Sequence, residues 1–272
     1  EVPYKQSAKE RIAGLKEKYD SESGKRSLPV ILGFILLTLL GAGAVFLLIR
    51  SPADTTSVIG EPQVISSTGA GEETLTDASA EMTADEQYQS WRTLIATASS
   101  EEEQRRALTV LKQSASRSYP PAQYDLAEDY RTGGISEQNA VMARSWYQSA
   151  AEGGNIEAMH KLGSMFARGE GGAQNSVAAV SWFERAAQFG FIDSIYNLAL
   201  IFDPTVQLQD GASMEKDGET AYYWYALADK LGDPDANSDA TRLGLLIDAD
   251  RRREIDAEIA DWTPQPPVAF AN

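Results

Sequence analysis

Histidine and cysteine, which carry out much of enzyme catalysis and bind many metal ions, are scarce in this chain. The 272 residues include one histidine, His160, and no cysteine. Composition therefore excludes a Cys-His catalytic pair and a zinc site built from thiolates or several histidines. His160 stands beside an apolar helical stripe, where we expect an ordinary half-exposed residue rather than the base of a Ser-His-Asp triad. The sequence predicts no enzyme, no bound metal and no cofactor.

Carboxylates are abundant, but their spacing does not define a site. One acidic stretch could offer oxygen ligands to Ca²⁺, through Asp203, Asp210, Glu215, Asp217 and Glu219. It lacks the D-x-[DN]-x-[DN]-G order of a calcium loop, so we interpret it as a solvated insertion. Two carboxylates can also hydrolyse a glycan. With 35 acidic residues beyond residue 49, the presence of some such pair indicates nothing.

Three tryptophans, Trp146, Trp182 and Trp224, could form a ladder that grips a sugar or a peptide. Each, however, occupies the same place in a repeated segment, since SWYQSAAEGG begins at residue 145 and SWFERAAQFG at residue 181. A unit that stacks on copies of itself needs the same apolar pattern each time. We therefore predict that the tryptophans are packing residues.

The repeat extends well beyond these two segments. Residues 122–154 and 158–190 align without a gap, and 12 of the 33 positions are identical. In a third copy Leu198 and Phe202 keep the 36-residue offset, whereas Trp224 comes six residues later than that offset requires. Units of this length with two helical patterns each are typical of an α-solenoid. The sequence thus predicts an all-α fold with repeats at 122–157, 158–193 and 194–235, the third carrying an insertion.

Apolar and small residues at helical spacing should form the interfaces between these helices. Large side chains fill the gaps, Gly163 permits close approach of a neighbouring helix, and Gly190 suits a left-handed turn after a helix. The predicted repeat core comprises Leu126, Tyr130, Trp146, Ala150, Leu162, Gly163, Phe166, Trp182, Ala186, Gly190, Leu198, Phe202, Trp224, Ala228 and Gly232.

Helical patterns also flank the repeats. We predict capping helices in residues 84–121, where Glu101, Glu102 and Glu103 provide an acidic first turn for the second of them. Closing helices are predicted in residues 236–262. Residues 263–272, TPQPPVAFAN, are predicted to form an extended tail that exits from the array.

The N-terminal third has the composition of a membrane anchor. Residues 28–49 are 22 consecutive residues without a charge, which is long enough for a helix to cross a bilayer. The twenty residues before this stretch carry six basic side chains and the twenty after it carry one, so residues 1–27 are predicted to be cytoplasmic. They would end a longer cytoplasmic region. Residues 50–83, rich in Ser, Thr and Gly, are predicted to be a disordered linker.

Charge limits the choice of partner. Beyond residue 49 the chain has 17 basic and 35 acidic residues, within an overall net charge of −16. Such a surface repels phosphate backbones, so nucleic acid is excluded as a partner. It also repels anionic lipid and wall polymers unless a local patch overcomes the mean field.

The repeat resembles the Sel1-like family, relatives of the tetratricopeptide repeat. The usual unit reads roughly A-x3-LG-x2-Y-x2-G-x-G and then A-x2-WY-x2-AA-x2-G. This chain has AMHKLGSMFARGEGG with AAVSWFERAAQFG, and YDLAEDYRTGG with ARSWYQSAAEGG. The resemblance implies antiparallel helix pairs stacked into a right-handed superhelix whose concave face recognises proteins. The candidate partner contacts on that face are Tyr124, Asp125, His160, Lys161, Ser164, Tyr196 and Asn197.

A narrower resemblance concerns the order of segments. A cytoplasmic part, one span, a linker and repeats containing FGFIDSIYNLALIF, closed by WTPQPPVAFAN, are similar to the periplasmic half of PodJ-type polar organelle development factors of alphaproteobacteria. This resemblance implies a single-pass protein of the bacterial inner membrane with a periplasmic array, at a cell pole. The stretch PTVQLQDGASMEKDGE departs from the usual short Gly-rich turn.

The expected function is that of a scaffold. A membrane-anchored array would bind envelope proteins or peptides and link them to a cytoplasmic polarity or signalling assembly. The alternative is a peptidoglycan-binding or wall-modifying envelope protein.

Overall fold

Ten α-helices follow one another through the described part of the chain, and no strand is among them. The computed structural model describes residues 82–207, 214–267 and 269–270. These residues belong to one compact unit, Glu73–Asn272. The predicted cytoplasmic segment, membrane helix and nearly all of the predicted linker lie outside the described residues. Among the helices that the structure does describe, none has the length and apolar character needed to cross a bilayer.

The helices divide into an N-terminal pair, six helices of the repeats and a closing pair. The N-terminal pair consists of α1 (Ala84–Thr97) and α2 (Glu101–Ser116). The repeat helices are α3 (Pro120–Thr132), α4 (Ala140–Glu152), α5 (Ile156–Arg168), α6 (Ser176–Gln188), α7 (Ile192–Phe202) and α8 (Gly218–Lys230). The closing pair consists of α9 (Ala236–Gly244) and α10 (Ala249–Asp261).

Local capping signals set where many of the helices begin. Thr83 and Ser100 each form a reciprocal capping box, with Glu86 and Glu103 respectively. The box at Ser100 confirms the predicted acidic first turn at Glu101, Glu102 and Glu103. Within the repeats, three helices have an asparagine N-cap, whose side chain accepts a hydrogen bond from a backbone N–H in the first turn. These residues are Asn139, Asn155 and Asn175.

From α1 to α9 each helix packs against the next one along the chain, and α10 packs back against α8. This sequential packing is the expected arrangement of an α-solenoid, in which each unit contacts its neighbours. The charged helix α10 joins the array through Ile255 and Ile259, which are both buried. Arg251 on the same helix is also buried, because it forms ion pairs with Glu219 and Glu254.

Most of the predicted repeat core is buried in the described helices. The buried members are Leu126, Ala150, Leu162, Gly163, Ala186, Leu198, Phe202, Trp224 and Ala228. Four others are half-buried and pack against a cluster of buried side chains from α3, α4, α5 and α6. They are Tyr130, Trp146, Phe166 and Trp182. Gly190 and Gly232 have φ of 78° and 95°, in the left-handed region that was predicted for Gly190.

The deepest aromatic side chain of each repeat is not the tryptophan but the residue that follows it. Tyr147, Phe183 and Tyr225 have exposed fractions of 0%, 2% and 0%, whereas Trp182 is half-buried with the Arg185 guanidinium 4.6 Å from its ring centre. Successive residues of a helix point about 100° apart, so Trp182 and Phe183 project in different directions from α6. Trp182 is thus a packing residue, as predicted, but Phe183 is buried more deeply.

Gly163 lies where α5 packs against α6. A Cβ atom at this position would stand 2.8 Å from the Phe183 ring and 3.2 Å from the Ala179 carbonyl oxygen. The prediction that this glycine permits close approach of a neighbouring helix is confirmed.

The described residues of the predicted tail, 263–267 and 269–270, remain in contact with the array at two points. After α10 ends, the Gln265 backbone N–H donates a 2.8 Å hydrogen bond to the Gln188 carbonyl at the end of α6. The Phe270 ring then lies 6.4 Å from the Tyr119 ring, at the start of α3. The described tail residues have no regular secondary structure, as predicted, but they run back across the repeats.

Candidate protein-interaction surface

One first-helix position carries an aromatic ring in every repeat, and it pairs with the deep aromatic of the second helix. The ring centres lie 5.8 Å apart for Tyr124 and Tyr147, 5.6 Å for His160 and Phe183, and 5.4 Å for Tyr196 and Tyr225. Tyr124, His160 and Tyr196 are all half-buried. Because α3, α5 and α7 are equivalent helices, these three candidate contacts form a row. We call it the first-helix row.

The polar atoms of the row are partly engaged within the array. His160 Nδ1 is 3.0 Å from the Ser194 hydroxyl, and its ring also contacts Phe191. Burial lowers the pKa of His160 below its ordinary value, so the ring is neutral at pH 7. Tyr196 donates a 3.3 Å hydrogen bond to Asp239. Burial raises the pKa of Tyr124 to about 12, and the nearby carboxylates of Glu128 and Asp125 add to the effect.

The next position along the first helices carries the candidates Asp125, Lys161 and Asn197, all half-buried. Asp125 accepts a 2.7 Å hydrogen bond from the Tyr88 hydroxyl of α1. Lys161 Nζ lies 3.9 Å from Glu128, so it links repeats one and two only loosely. Of these three side chains, Lys161 and Asn197 are therefore the most available for hydrogen bonds to a partner, because Asp125 is already bonded to Tyr88.

Ser164 is less suited to binding than predicted. Its exposed fraction is 8%, because it lies on the side of α5 that faces into the array. A partner on the first-helix row would contact the other six candidates and reach almost nothing of Ser164.

A charged network that the sequence did not reveal lies beside the row. Glu128 accepts hydrogen bonds from the Tyr147 hydroxyl and from Arg131, and it also faces Lys161. Burial opposes ionisation of Glu128, but these bonds prevail and lower the pKa of its carboxyl. The equivalent residues of the other repeats are Ser164 and Leu200, so the repeat pattern held no signal for this network.

The acidic stretch of the third repeat is tied into the array rather than being a solvated loop throughout. Asp203 is fully buried and accepts a 2.7 Å hydrogen bond from Arg242 and two more from Thr205. Glu219 pairs with Arg251, and Asp217 caps α8. Asp210 lies outside the described residues. Among the residues that are described, no three His, Cys, Asp or Glu side chains are grouped to hold a metal ion.

The three tryptophans do not form a ladder. Trp146 packs against two clusters of buried side chains, one formed by α2 and α3 and the other by α3 to α6. Trp182 is covered by Arg185, and Trp224 is buried against Tyr223. All three rings thus make packing contacts within the array.

Comparison with known proteins identifies the repeats. The Sel1 repeat family model matches residues 120–155, 156–189 and 192–233. The chain therefore contains three consecutive segments that match the Sel1 repeat. No curated protein matches the chain.

Solved structures of Sel1-type proteins also match. One is a Sel1 repeat protein from Oxalobacter formigenes, with 27% identity over 57% of this chain and 63% of that chain, and a TM-score of 0.47. Another is a protective antigen present in uropathogenic Escherichia coli strains, which displays an SLR fold. It shares 18% identity over 73% of this chain and 52% of that chain, with a TM-score of 0.37. The matches thus span less than two thirds of either protein's own chain.

Proposed function

We propose that this protein is a non-catalytic, membrane-anchored scaffold whose array binds proteins or peptides of the bacterial envelope. The observation that carries the proposal is the presence of three consecutive Sel1 repeats, which generally mediate protein–protein interaction. Residues 28–49 provide the span, and the distribution of basic residues around them favours a periplasmic array. The narrower resemblance to PodJ-type factors supports a role in polar localisation or development signalling.

The first-helix row is the surface that we assign to the partner. Its half-buried aromatic rings offer apolar area beside polar groups, which is the composition of many interface centres. The strongly acidic sequence beyond residue 49 favours a partner with a basic surface. Binding should therefore weaken as the salt concentration rises.

Affinity capture from an envelope extract tests this proposal. The bait is the full chain, compared with a double variant, Lys161→Ala with Asn197→Ala. We expect the double variant to retain its partner at least about tenfold less well. The matched control is Arg253→Ala, which also removes one cation of an ion pair, but on the exposed surface of α10. Equal retention by all three proteins would refute binding at Lys161 and Asn197 beside the row, and the absence of any retained protein would refute the scaffold.

Three further measurements address anchoring and the rival function. Protease added after permeabilisation of the outer membrane should cut within residues 51–83, and complete protection would contradict the orientation.

A fluorescent full-length protein should form a polar focus, and an even distribution would contradict the polar role. Sedimentation with purified wall sacculi, or release of soluble wall fragments, would instead support the peptidoglycan-binding or wall-modifying alternative.

A further inference from the structure

The end of α10, where the tail begins, is held to α8 by hydrogen bonds. Lys230 Nζ donates hydrogen bonds to the carbonyl oxygens of Ile259, Ala260 and Trp262, at 2.6, 2.9 and 3.0 Å. An amine at the end of a helix satisfies carbonyls that have no partner within the helix. This contact directs the chain from α10 back toward the second repeat.

The tail then crosses the turn between α6 and α7. Gly190 has φ of 78°, and a Cβ atom built on it would stand 3.3 Å from Pro264 Cβ and 3.8 Å from the Trp262 ring. The absence of a side chain at Gly190 thus leaves room for the segment from Trp262 to Pro264. Gly232 occupies the equivalent turn of the third repeat with φ of 95°, but a Cβ atom there would meet nothing within 4 Å.

The tail is held by its backbone as well as by its side chains. The hydrogen bond from Gln265 N to Gln188 O uses a carbonyl in the last turn of α6, one of those that a helix leaves without an internal partner. A main-chain contact of this kind does not depend on the side chain of the residue that makes it. It therefore suits any extended segment with a free N–H at this place.

An aromatic anchor ends the described tail. Phe270 is half-buried and lies edge-on to Tyr119, at 72° between the ring planes. Tyr119 in turn contacts Tyr88, and Tyr88 stacks on Trp91. This aromatic cluster joins α1 to the first repeat, so Phe270 extends a cluster that the array already contains.

Between these contacts the tail is open to solvent. Thr263, Pro264, Gln265, Pro266, Pro267 and Ala269 are all exposed. The tail is thus held at a few points, and its prolines keep it extended at a low entropic cost. A segment bound in this way can be replaced by another with the same features.

We propose that the surface under the tail is a second binding site, which takes an extended, proline-containing peptide of a partner protein. The tail seat consists of Gln188, Gly190 and Tyr119. Its ligand places a proline at the Gly190 turn, a backbone N–H opposite Gln188 and an aromatic ring on Tyr119, six residues after the proline. The chain's own tail occupies the seat and competes with the partner. Its three residues, Gln188, Gly190 and Tyr119, are not members of the first-helix row.

Fluorescence anisotropy with a labelled peptide of residues 262–272 tests the site. We expect the full chain with Phe270→Ala to bind the peptide at least about tenfold more tightly than the unmodified chain, because its own tail competes less well. A peptide that itself carries Phe270→Ala should not bind. Failure of the normal peptide to bind the Phe270→Ala chain would overturn the proposal, and so would equal binding to both chains.

A matched pair of glycine variants locates the site. In the Phe270→Ala chain, Gly190→Ala should weaken peptide binding at least about tenfold, because the added methyl group would stand 3.3 Å from Pro264 Cβ. Gly232→Ala places the same strain in an equivalent turn that nothing covers, so it should leave binding unchanged. Thermal melting of each variant reports whether it is folded. Equal loss of binding in the two folded variants would show that the peptide does not lie at Gly190, and would overturn the assignment.

Discussion

His160 is a half-buried imidazole among rings and a hydroxyl, and its environment decides its charge. Burial is the main cause of its lowered pKa, while Asp193 acts in the opposite direction and Lys161 and Arg168 add to the lowering. The folded state therefore binds fewer protons than the unfolded state just below pH 6.5. A partner on the first-helix row would meet a neutral ring at pH 7.

We predict that His160 titrates below pH 6.5 in the folded protein. Because it is the only histidine, its imidazole signal can be followed by NMR without ambiguity. Stability should fall as the pH decreases through about 6.5, since the unfolded chain is protonated first. His160→Gln should remove that part of the pH dependence. A midpoint at or above 6.5 would contradict the role of burial.

Asp203 is a fully buried carboxylate with a specific set of partners. Burial opposes its ionisation, but the hydrogen bonds from Arg242 and Thr205 prevail and hold its pKa below the ordinary value. Tyr225 also donates a 3.3 Å hydrogen bond to it. The residue thus anchors the start of the insertion to α8 and α9.

We predict that Asp203→Asn lowers the free energy of unfolding by about 1–3 kcal/mol, because partners of the carboxylate lose a charged acceptor. Urea unfolding at pH 7 measures the effect. Asp250→Asn, in an exposed pair with Arg253, is the control and should change stability by less than about 0.5 kcal/mol. The difference between native protein and Asp203→Asn should shrink as the pH falls below about 4, because the carboxylate of the unfolded chain is protonated there before that of the folded protein. A constant difference would show that its charge is not responsible.

At the scale of the helices, each repeat is closed by one aromatic pair across its two helices. The second-helix member of that pair is buried in all three repeats, although it changes from Tyr to Phe to Tyr. The tryptophan beside it is half-buried in the first two repeats and buried in the third. The two helices of each repeat are thus joined by a ring pair whose second-helix member is shielded from solvent.

We predict that Phe183→Ala destabilises the protein more than Trp182→Ala, even though tryptophan is the larger residue. Truncation of the buried Phe183 leaves a cavity against Gly163 and should cost about 3–5 kcal/mol. Trp182 is half-exposed, so its truncation should cost about 1–3 kcal/mol and leave the array folded. Chemical unfolding of the two variants provides the comparison. A larger loss for Trp182→Ala would restore the tryptophan as the principal core residue.

At the scale of the whole described unit, the tail adds contacts that a simple solenoid lacks. Units of a solenoid contact only their neighbours, so distant repeats are coupled weakly. Here residues 265 and 270 contact Gln188 and Tyr119, which lie in the second repeat and at the start of the first. These contacts connect the C-terminal end of the chain with the N-terminal part of the array.

We predict that Phe270→Ala speeds amide hydrogen exchange at Gln265 by at least about tenfold, because loss of the anchor lets the tail open. Amides in the interiors of α5 and α6 should keep their protection. Thr263→Ala, an exposed change in the same segment, is the control and should leave the Gln265 amide unaffected. Unchanged exchange in Phe270→Ala would show that the hydrogen bond to Gln188 alone holds the tail.

The sequence by itself determined the repeat, its helical character and much of the core. These features follow from periodic apolar residues and from helix-start signals such as the acidic first turn at Glu101, whose effects act within one helix or one turn. Leu162, Ala186 and Gly163 could be assigned because each recurs, or has a small counterpart, at a fixed offset. Local physical rules were sufficient wherever a residue's neighbours are near in sequence or are repeated.

Only the tertiary structure decided which of two adjacent rings faces inward, which cation meets a carboxylate, and where the tail runs. Phe183 and Trp182 are both apolar, and their order depends on how closely α5 approaches α6. Asp203 meets Arg242 from a helix 39 residues away. The tail could not be placed because TPQPPVAFAN has no periodicity, and its position depends on a backbone hydrogen bond and one ring contact. Such contacts between distant residues exist only once the helices are stacked, which is why the chain's own pattern did not reveal them.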